Sequence, residues 1–466
     1  LLSSPSGRTM CLLSLTALFL MSSSTFDIFK TPFTADGQVR AKRLIFSVGW
    51  YNIYLQVYTC IIHQSTININ RKERLLKICF AVCEYNPFHN GHLYHLDYIK
   101  KEIKPDYIVI VMSGNFTQRG EIAVMDKYTR ATHAIKAGAD AVIELPTVFA
   151  TANAEIFAKG AIKLINCCGG EKHICFGTES GEKTKLLSTA AALLEESREF
   201  KKLYKEELKT GVTAIKAKCA ALEKMKVENL DFELLKTPNN ILGIEYCKAI
   251  LSSKADVEIH PVIRQGAAYN DDKMYKNLSS AAAIRKAVND GKRRQIKKCV
   301  PNYVFRDLPA GLPDADDLIF FSAIKSTPKE FERVLDCTEG LENRIKALTR
   351  DAEGLDKLVE KIKTKRYTKT RLERILLANM LGIEESFVRK CLNSELYLKI
   401  LAVNKDKLDV LSAIRGKNDV PVITRKSDCK KLSGVAKDCF LTDVDALEIF
   451  DFVAKTKTNE FEMKTI

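Results

Sequence analysis

Hydrophobic and polar positions follow two alternating regimes along the chain. Short, continuous apolar runs bounded by turn residues occur at Ile78–Val82, Tyr107–Met112, Ala141–Leu145, His173–Phe176 and Val257–Ile263. Runs of this kind predict strands covered on both faces. Between them lie helical stretches at Leu93–Lys101, at Lys127–Ala137 closed by Gly138, and at Ala154–Ile165, then further helices through Leu222 and one capped by Asn240 that reaches Leu251. Repeated strand–helix units predict an α/β fold with a Rossmann-like, doubly wound parallel sheet. Ligands of such sheets bind beyond the carboxyl ends of the strands. His89, Gly114, Gly177 and Arg264 each fall just past a predicted strand end.

Between positions 301 and 313 proline and aspartate become frequent, which marks a domain border. The pattern beyond it is helical at Leu341–Leu348, Leu355–Lys363 and Arg371–Leu381. A mixed tail follows from Leu396, with Val420–Thr424 as a short edge strand. The expected organisation is residues 1–75 outside the pattern, a sheet domain over 76–300, and a mainly α-helical C-terminal region over 301–466.

Charge changes the picture of partners. With 73 basic and 58 acidic residues the net charge is +15, which suits RNA, a membrane surface or plain solubility. The 14 cysteines are scattered without an even framework, so buried thiols in a reducing cytoplasm are expected rather than a disulfide scaffold. The apolar run Met10–Met21 behind Arg8, followed by Ser22–Ser24, mimics a secretory signal but is too short to span a bilayer. No membrane association is expected. Arg71-Lys72-Glu73 is what a purine-rich ribosome-binding site encodes when read in frame, and Leu76 stands where a TTG start would fall. Residues 1–75 are therefore expected to be translated upstream sequence; intact mass of protein expressed from the native gene would reject this if they were retained.

The chemistry concentrates after the first strand, in Cys83-Glu84-Tyr85-Asn86-Pro87-Phe88-His89-Asn90-Gly91-His92. Chance alone yields His-x-Gly-His in roughly 0.5 % of chains of this composition. The segment Pro87–His92 is expected to form the turn between strand and helix. A helix start offers unpaired N–H groups and partial positive charge to a phosphate. Gly91 lets that phosphate approach the backbone, and His89 and His92 can each donate a hydrogen bond to it. Ser279-Ser280 opens a predicted helix over Ala281–Val288, where hydroxyls and free N–H groups would hold the outer phosphates with help from Arg285. An ordinary serine N-cap would look the same in isolation. Gln118, Arg119, Lys127 and Arg130 could bind a carboxylate or an RNA end, and Glu144 could organise the site or cap its turn. No third ligand of zinc-like spacing joins the two histidines, so no resident metal is expected there.

Positions 361–374 carry Lys361, Lys363, Lys365, Arg366, Lys369, Arg371 and Arg374 against Glu373 alone. Such a stripe neutralises phosphates, and Tyr367 within it could stack on a base. Lys363, Lys365, Arg366, Tyr367 and Arg371 are the expected RNA contacts.

Glu84 to His95 resembles the signature of bacterial tRNA(Met) cytidine acetate ligases, within the HIGH-type nucleotidyltransferase superfamily. The resemblance continues through Met112–Glu121, Ile143–Pro146, Phe176–Glu179, Pro238–Gly243, Arg264–Gly266, Ser279–Arg285 and Lys365–Thr368, in order over about three hundred residues. It implies ATP binding by Val82, Cys83, Glu84, Tyr85, Asn86, Pro87, Phe88, His89, Asn90, Gly91, His92, Leu93, Tyr94 and His95, and by positions Gly177, Asn239 and Arg264. The serine motif adds Ser280 and Arg285. The resemblance further implies that acetate, ATP and Mg²⁺ yield acetyl-adenylate, with His89 and His92 as catalytic residues. Elongator tRNA(Met) would be the partner and its wobble cytidine the acceptor. The rivals are adenylyl transfer to a small phosphate ester and a non-catalytic RNA-binding protein with a vestigial nucleotide site. Roughly 170 residues beyond the sheet, with their cationic stripe, disfavour so small an acceptor. Intact His89, Gly91, His92 and Ser280 disfavour the second rival.

Overall fold

The computed structural model describes residues 75–194, 197–212, 214–225, 231–264, 279–416, 419–461 and 463–466. The expectation for the N-terminal extension lies outside them, Leu75 apart.

Five parallel strands form the centre of the sheet: β1 (Lys77–Cys83), β2 (Tyr107–Ser113), β3 (Ala141–Leu145), β4 (Glu171–Thr178) and β5 (Val257–Ile263). Their order is β5-β4-β1-β2-β3. The chain therefore winds outward from β1 in one direction through β2 and β3, then returns to the other side of β1 with β4 and β5. The crevice between β1 and β4 is the topological switch point, where such sheets bind ligands.

Side-chain alternation explains why these runs are apolar throughout. Ile78, Phe80, Val109, Val111 and Ile143 enter one buried layer, and Cys79, Ala81, Ile108, Ile110 and Met112 enter the other. The helices Ala154–Cys167, Lys183–Leu194 and Pro238–Ser253 contribute to the first layer. The helices Asn90–Tyr98, Lys127–Lys136 and Ala281–Asn289 contribute to the second. Each large aliphatic side chain so buried contributes about 1.5–3 kcal/mol of transfer free energy.

Three helix starts differ from the pattern-based expectation. The helix expected from Arg371 begins two residues earlier, at Lys369. The first helix begins at Asn90 rather than Leu93, because His89 already serves as its N-cap. The helix expected from Asn240 begins at Pro238, a residue whose fixed φ suits the first helical position.

Beyond residue 300 the chain is mainly helical, with helices including Asp316–Lys325, Leu341–Thr349, Leu355–Ile362, Lys369–Met380 and Gly434–Ala454. The tail then rejoins the sheet. β6 (Leu398–Val403), buried along its whole length, pairs antiparallel with β3. β7 (Val422–Ile423), inside the expected edge strand, and β8 (Lys464–Thr465) each pair with β6 in parallel. The sheet is thus mixed, and the edge of β3 is covered rather than exposed. Among the described residues no helix is long and apolar enough to cross a membrane.

Candidate active site

His89 adopts an extended conformation and caps the helix that follows. Its Nδ1 accepts the Gly91 N–H at 3.1 Å, while His92 Nδ1 accepts the His89 N–H at 3.2 Å. This is a capping box built from two imidazoles. The arrangement assigns tautomers. Each Nδ1 is an acceptor, so in each neutral ring the proton resides on Nε2. The rings stack with centroids 3.7 Å apart and planes 19° from parallel. Burial lowers the His89 pKa to about 3, with the Arg264 charge adding to the effect. Burial also drives the His92 pKa well below 6.5, aided by His89 and Arg264. Two neutral N–H donors therefore stand side by side at the switch point. Gly91 must be small, because a Cβ there would lie 2.9 Å from the His89 ring.

These rings line a cleft with about 230 Å³ of room for solvent, shared with Val82, Cys83, Glu84, Tyr85, Asn86, Gly91, Tyr94, His95, Gly177, Asn239, Arg264, Ser280 and Arg285. Fifteen of the nineteen residues expected to bind nucleotide are thus gathered in one place. Pro87, Phe88, Asn90 and Leu93 are not among the lining residues. Phe88 is fully buried, 4.7 Å from the Tyr85 ring and 5.5 Å from that of His92. Asn90 ties the turn to the far chain, donating from N to Cys299 O and from Nδ2 to Lys298 O, both at 2.9 Å. Both contribute to holding the histidine turn in place.

The other walls have definite structures. Ser280 caps its helix, its Oγ accepting the Ala283 N–H at 3.0 Å. Arg285 reaches across to the motif, donating to Asn86 O at 2.9 Å and pairing with Glu121 at 2.8 Å. Arg264 donates to Asn239 Oδ1 at 2.9 Å, and Asn239 Nδ2 donates to Glu179 at 2.7 Å. A Cβ on Gly177 would lie 2.9 Å from Arg264 Cγ, so this glycine makes room for the arginine stem.

A family model described as HIGH Nucleotidyl Transferase matches residues 76–465. Over 384 residues the chain is 37% identical to the tRNA(Met) cytidine acetate ligase of Caldanaerobacter subterraneus subsp. tengcongensis, covering 80% of this chain and 95% of the relative. The Fervidobacterium nodosum protein of the same name is 38% identical over 363 residues, 76% of this chain and 84% of its own. The apo crystal structure of Thermotoga maritima TmcAL superposes with a TM-score of 0.77 at 31% identity, covering 84% of this chain and 100% of that one. A second TmcAL structure, bound with alpha-thio ATP, gives 0.75 at 30% identity with the same coverage. The chain belongs to the tRNA(Met) cytidine acetate ligase family.

In this family member, sequence reasoning did not single out part of the cleft. Phe176 and Tyr246 pair at 5.3 Å, and with Leu242 and Phe157 they form an apolar wall. Asn239, Leu242 and Tyr246 recur at helical spacing on Pro238–Ser253, so the 3.6-residue period carried that signal. Gln118 and Arg119 line the cleft as expected of ligand-binding residues. The Gln118 N–H donates to Glu84 Oε1 at 2.8 Å.

Lys127 and Arg130 do not line it. Arg130 is fully buried and clamps the strand ends, donating to Glu84 O at 2.6 Å, Ser113 O at 3.1 Å and Met125 O at 2.9 Å. Lys127 is equally buried and pairs with Glu144 and with Glu460, each at 2.8 Å. Lys399 of β6 pairs with the same two carboxylates. Two cations therefore meet two anions. Burial raises the Glu144 pKa, but Lys127 and Lys399 outweigh it and hold the carboxyl below its usual range. Glu144 thus organises the fold beneath the site.

In the cationic stripe, Lys363, Lys365 and Arg366 are exposed, and Arg366 pairs with Glu339. Tyr367 is only 8% exposed, and the Arg371 guanidinium lies 5.3 Å from its ring centre. The ring is committed to the helical core, which corrects its expected stacking on a base. Arg371 also donates to Asp336 O and is likewise turned inward. Gly120, in the loop carrying Gln118 and Arg119, has φ +82°. A Cβ there would lie 2.6 Å from the Arg374 backbone nitrogen. The loop that lines the cleft therefore rests against the helix Lys369–Met380, whose first turns carry the end of the stripe.

Proposed function

We propose that this chain condenses acetate with ATP to acetyl-adenylate and then acetylates the N4 amine of the wobble cytidine of elongator tRNA(Met), giving N4-acetylcytidine. The reading is carried by one observation: the two Nε2–H donors fixed at the switch point, where a nucleotide's phosphates would lie. The names of the family's members supply the acid and the acceptor.

In the first step a carboxylate oxygen of acetate forms a bond to the α-phosphorus, and the bond from that phosphorus to the pyrophosphate oxygen breaks. Charge grows on the departing pyrophosphate. His89 and His92 would donate to those oxygens, and preorganised donors of this kind stabilise developing charge without reorganising. The helix start at Asn90 would add backbone N–H groups. Arg285 would exchange its Glu121 contact for a phosphate, and Gln118 and Arg119 stand near enough to orient the acid. No covalent enzyme intermediate is required, because positioning and electrostatics suffice for phosphoryl chemistry. Mg²⁺ fits the proposal: such an ion takes one or two carboxylates beside the substrate phosphates, Glu84 lines the cleft, and the bound ion would neutralise phosphate charge. In the second step the cytidine N4 attacks the acetyl carbonyl, AMP leaves, and the amine loses a proton. Lys363, Lys365 and Arg366 would hold the tRNA backbone, and the contact of Gly120 with the helix after them would carry the RNA towards the cleft. Free thiols and an RNA substrate suit a cytoplasmic setting; the described cysteines carry no disulfide.

The test is pyrophosphate release from ATP, with acetate and transcribed elongator tRNA(Met) each supplied or withheld, alongside nucleoside mass spectrometry. Pyrophosphate that depends on acetate, with N4-acetylcytidine formed when tRNA is present, is expected. Adenylation of a phosphate ester in place of acetate would reject the reading.

A further inference from the structure

Towards the amino ends of β4 and β5, away from the carboxyl ends where the cleft lies, a second group of donors converges. Parallel pairing sets His173 beside Glu258, and His260 follows two residues later on the same face of β5. His173 Nδ1 lies 2.9 Å from His260 Nε2 and 3.5 Å from Glu258 Oε2. All three donor atoms lie within 4.8 Å of one another. We propose that His173 Nδ1, His260 Nε2 and the Glu258 carboxylate bind a divalent transition-metal ion of the zinc type, with water completing its coordination.

The geometry of the partners supports this. Glu171 Oε1 lies 2.9 Å from His173 Nε2 and fixes the proton there, so Nδ1 presents a lone pair to the group. A carboxylate behind a ligating imidazole is the usual outer-shell arrangement of metal histidines. Zinc bonds of about 2.0–2.2 Å in tetrahedral geometry require donors on the order of 3.3 Å apart, and the two separations given bracket that value. Lys183 Nζ pairs with the other oxygen, Glu258 Oε1, at 3.0 Å and leaves Oε2 directed at the rings. The His173 ring is buried, whereas Glu258 is half exposed, which gives an ion a path from solvent. Two imidazoles and one carboxylate suit zinc, nickel or copper rather than the all-oxygen shells of calcium and magnesium. The residues lie 87 positions apart in part, so only strand pairing reveals the group. A bound ion would staple the outer strand β5 to β4, and β5 delivers Arg264 to the cleft at its other end. The proposal stands independently of the ligase chemistry.

The full chain, purified without a metal-affinity tag and stripped with chelator, is titrated with zinc against a chromophoric competitor. One zinc per chain is expected, lost in His260→Ala and weakened about 10–100-fold in Glu171→Gln. The half-exposed Glu258→Gln should also weaken it, and circular dichroism checks that each variant is folded. Cobalt in place of zinc should give visible ligand-field bands without a thiolate charge-transfer band, which separates this site from cysteine sites. Equal zinc binding by wild type and both His260→Ala and Glu258→Gln, no binding at all, or a thiolate band would each overturn the proposal.

Discussion

The histidine turn after β1 and the lysine–glutamate cluster beneath β3 are both buried, and they spend their polar groups differently. In the turn, each imidazole gives its Nδ1 to a backbone N–H and retains an Nε2–H directed away from that bond. In the cluster, Lys127 and Lys399 face Glu144 and Glu460, and charge is balanced within the group itself. Asp443 alongside accepts from Thr147 N and Tyr397 OH, and burial followed by the Glu144 charge raises its pKa to about 7. The cluster joins strands that are far apart in sequence and asks nothing of a ligand. The turn is local and leaves two N–H donors facing the cleft, where the proposed function places the phosphates. Buried polarity that closes on itself holds a fold; buried polarity left partly open performs chemistry.

The comparison breaks most readily at Glu144. Glu144→Ala leaves two buried cations with one carboxylate, a defect that costs about 3–5 kcal/mol. Since whole domains are stable by only about 5–15 kcal/mol, urea denaturation should show a large loss of stability, with β6 and the chain end released. His92→Ala should do the reverse. Acetyl-adenylate formation should fall about 100-fold or more, whereas the urea midpoint should move far less than in Glu144→Ala. Matching losses of stability in the two variants would mean that the turn is as structural as the cluster.

This contrast also marks what could be read from the sequence. β1 to β5 and the His-x-Gly-His turn were legible because each depends on short-range pattern: apolar runs, a turn, a helix start. Fifteen of the residues that the family resemblance and the serine motif named for the nucleotide line the cleft. The roles of Lys127 and Glu144 were not legible, because Lys399 and Glu460, distant in sequence, complete their cluster; that of Arg130 was not, because its partners are backbone carbonyls that no side-chain pattern announces. The run Leu398–Val403 is apolar enough for a strand, but no neighbouring helix period announces where it docks. Tyr367 fails as a base-stacking residue on similar grounds. Composition shows a cationic stripe, and only packing shows which of its members face inward.

The exposed cations sharpen the comparison from outside the core. Lys365→Ala combined with Arg366→Ala should weaken tRNA binding about tenfold and reduce the slope of log affinity against log salt by roughly 1.4–1.8, as two fewer counterions are displaced. Adenylate formation without tRNA should be unchanged. An unchanged salt slope would place the RNA elsewhere on the chain.

The smallest effect separates the two clusters by pH. His89, His92 and His95 have folded pKa values below 6.5, with His89 near 3 and His95 near 4. Between those values and 6.5 the unfolded chain binds more protons at these sites, so their contribution to stability falls as pH falls through that window. Asp443 works with the opposite sign. Its folded pKa is about 7 against an ordinary 3.8, so the folded state holds the extra proton and stability from this group falls as pH rises from about 4 to 7. The two slopes oppose each other in the intact protein. Asp443→Asn fixes the group in a neutral, hydrogen-bonding form and should make stability rise more steeply with pH over that window, by up to about 1.4 kcal/mol per pH unit for one proton. Changing His89 and His92 to Asn should flatten the rise instead. Urea midpoints at pH 5, 6 and 7 for the three proteins decide it, and slopes that change in the same direction would show that the two clusters do not titrate as opposites.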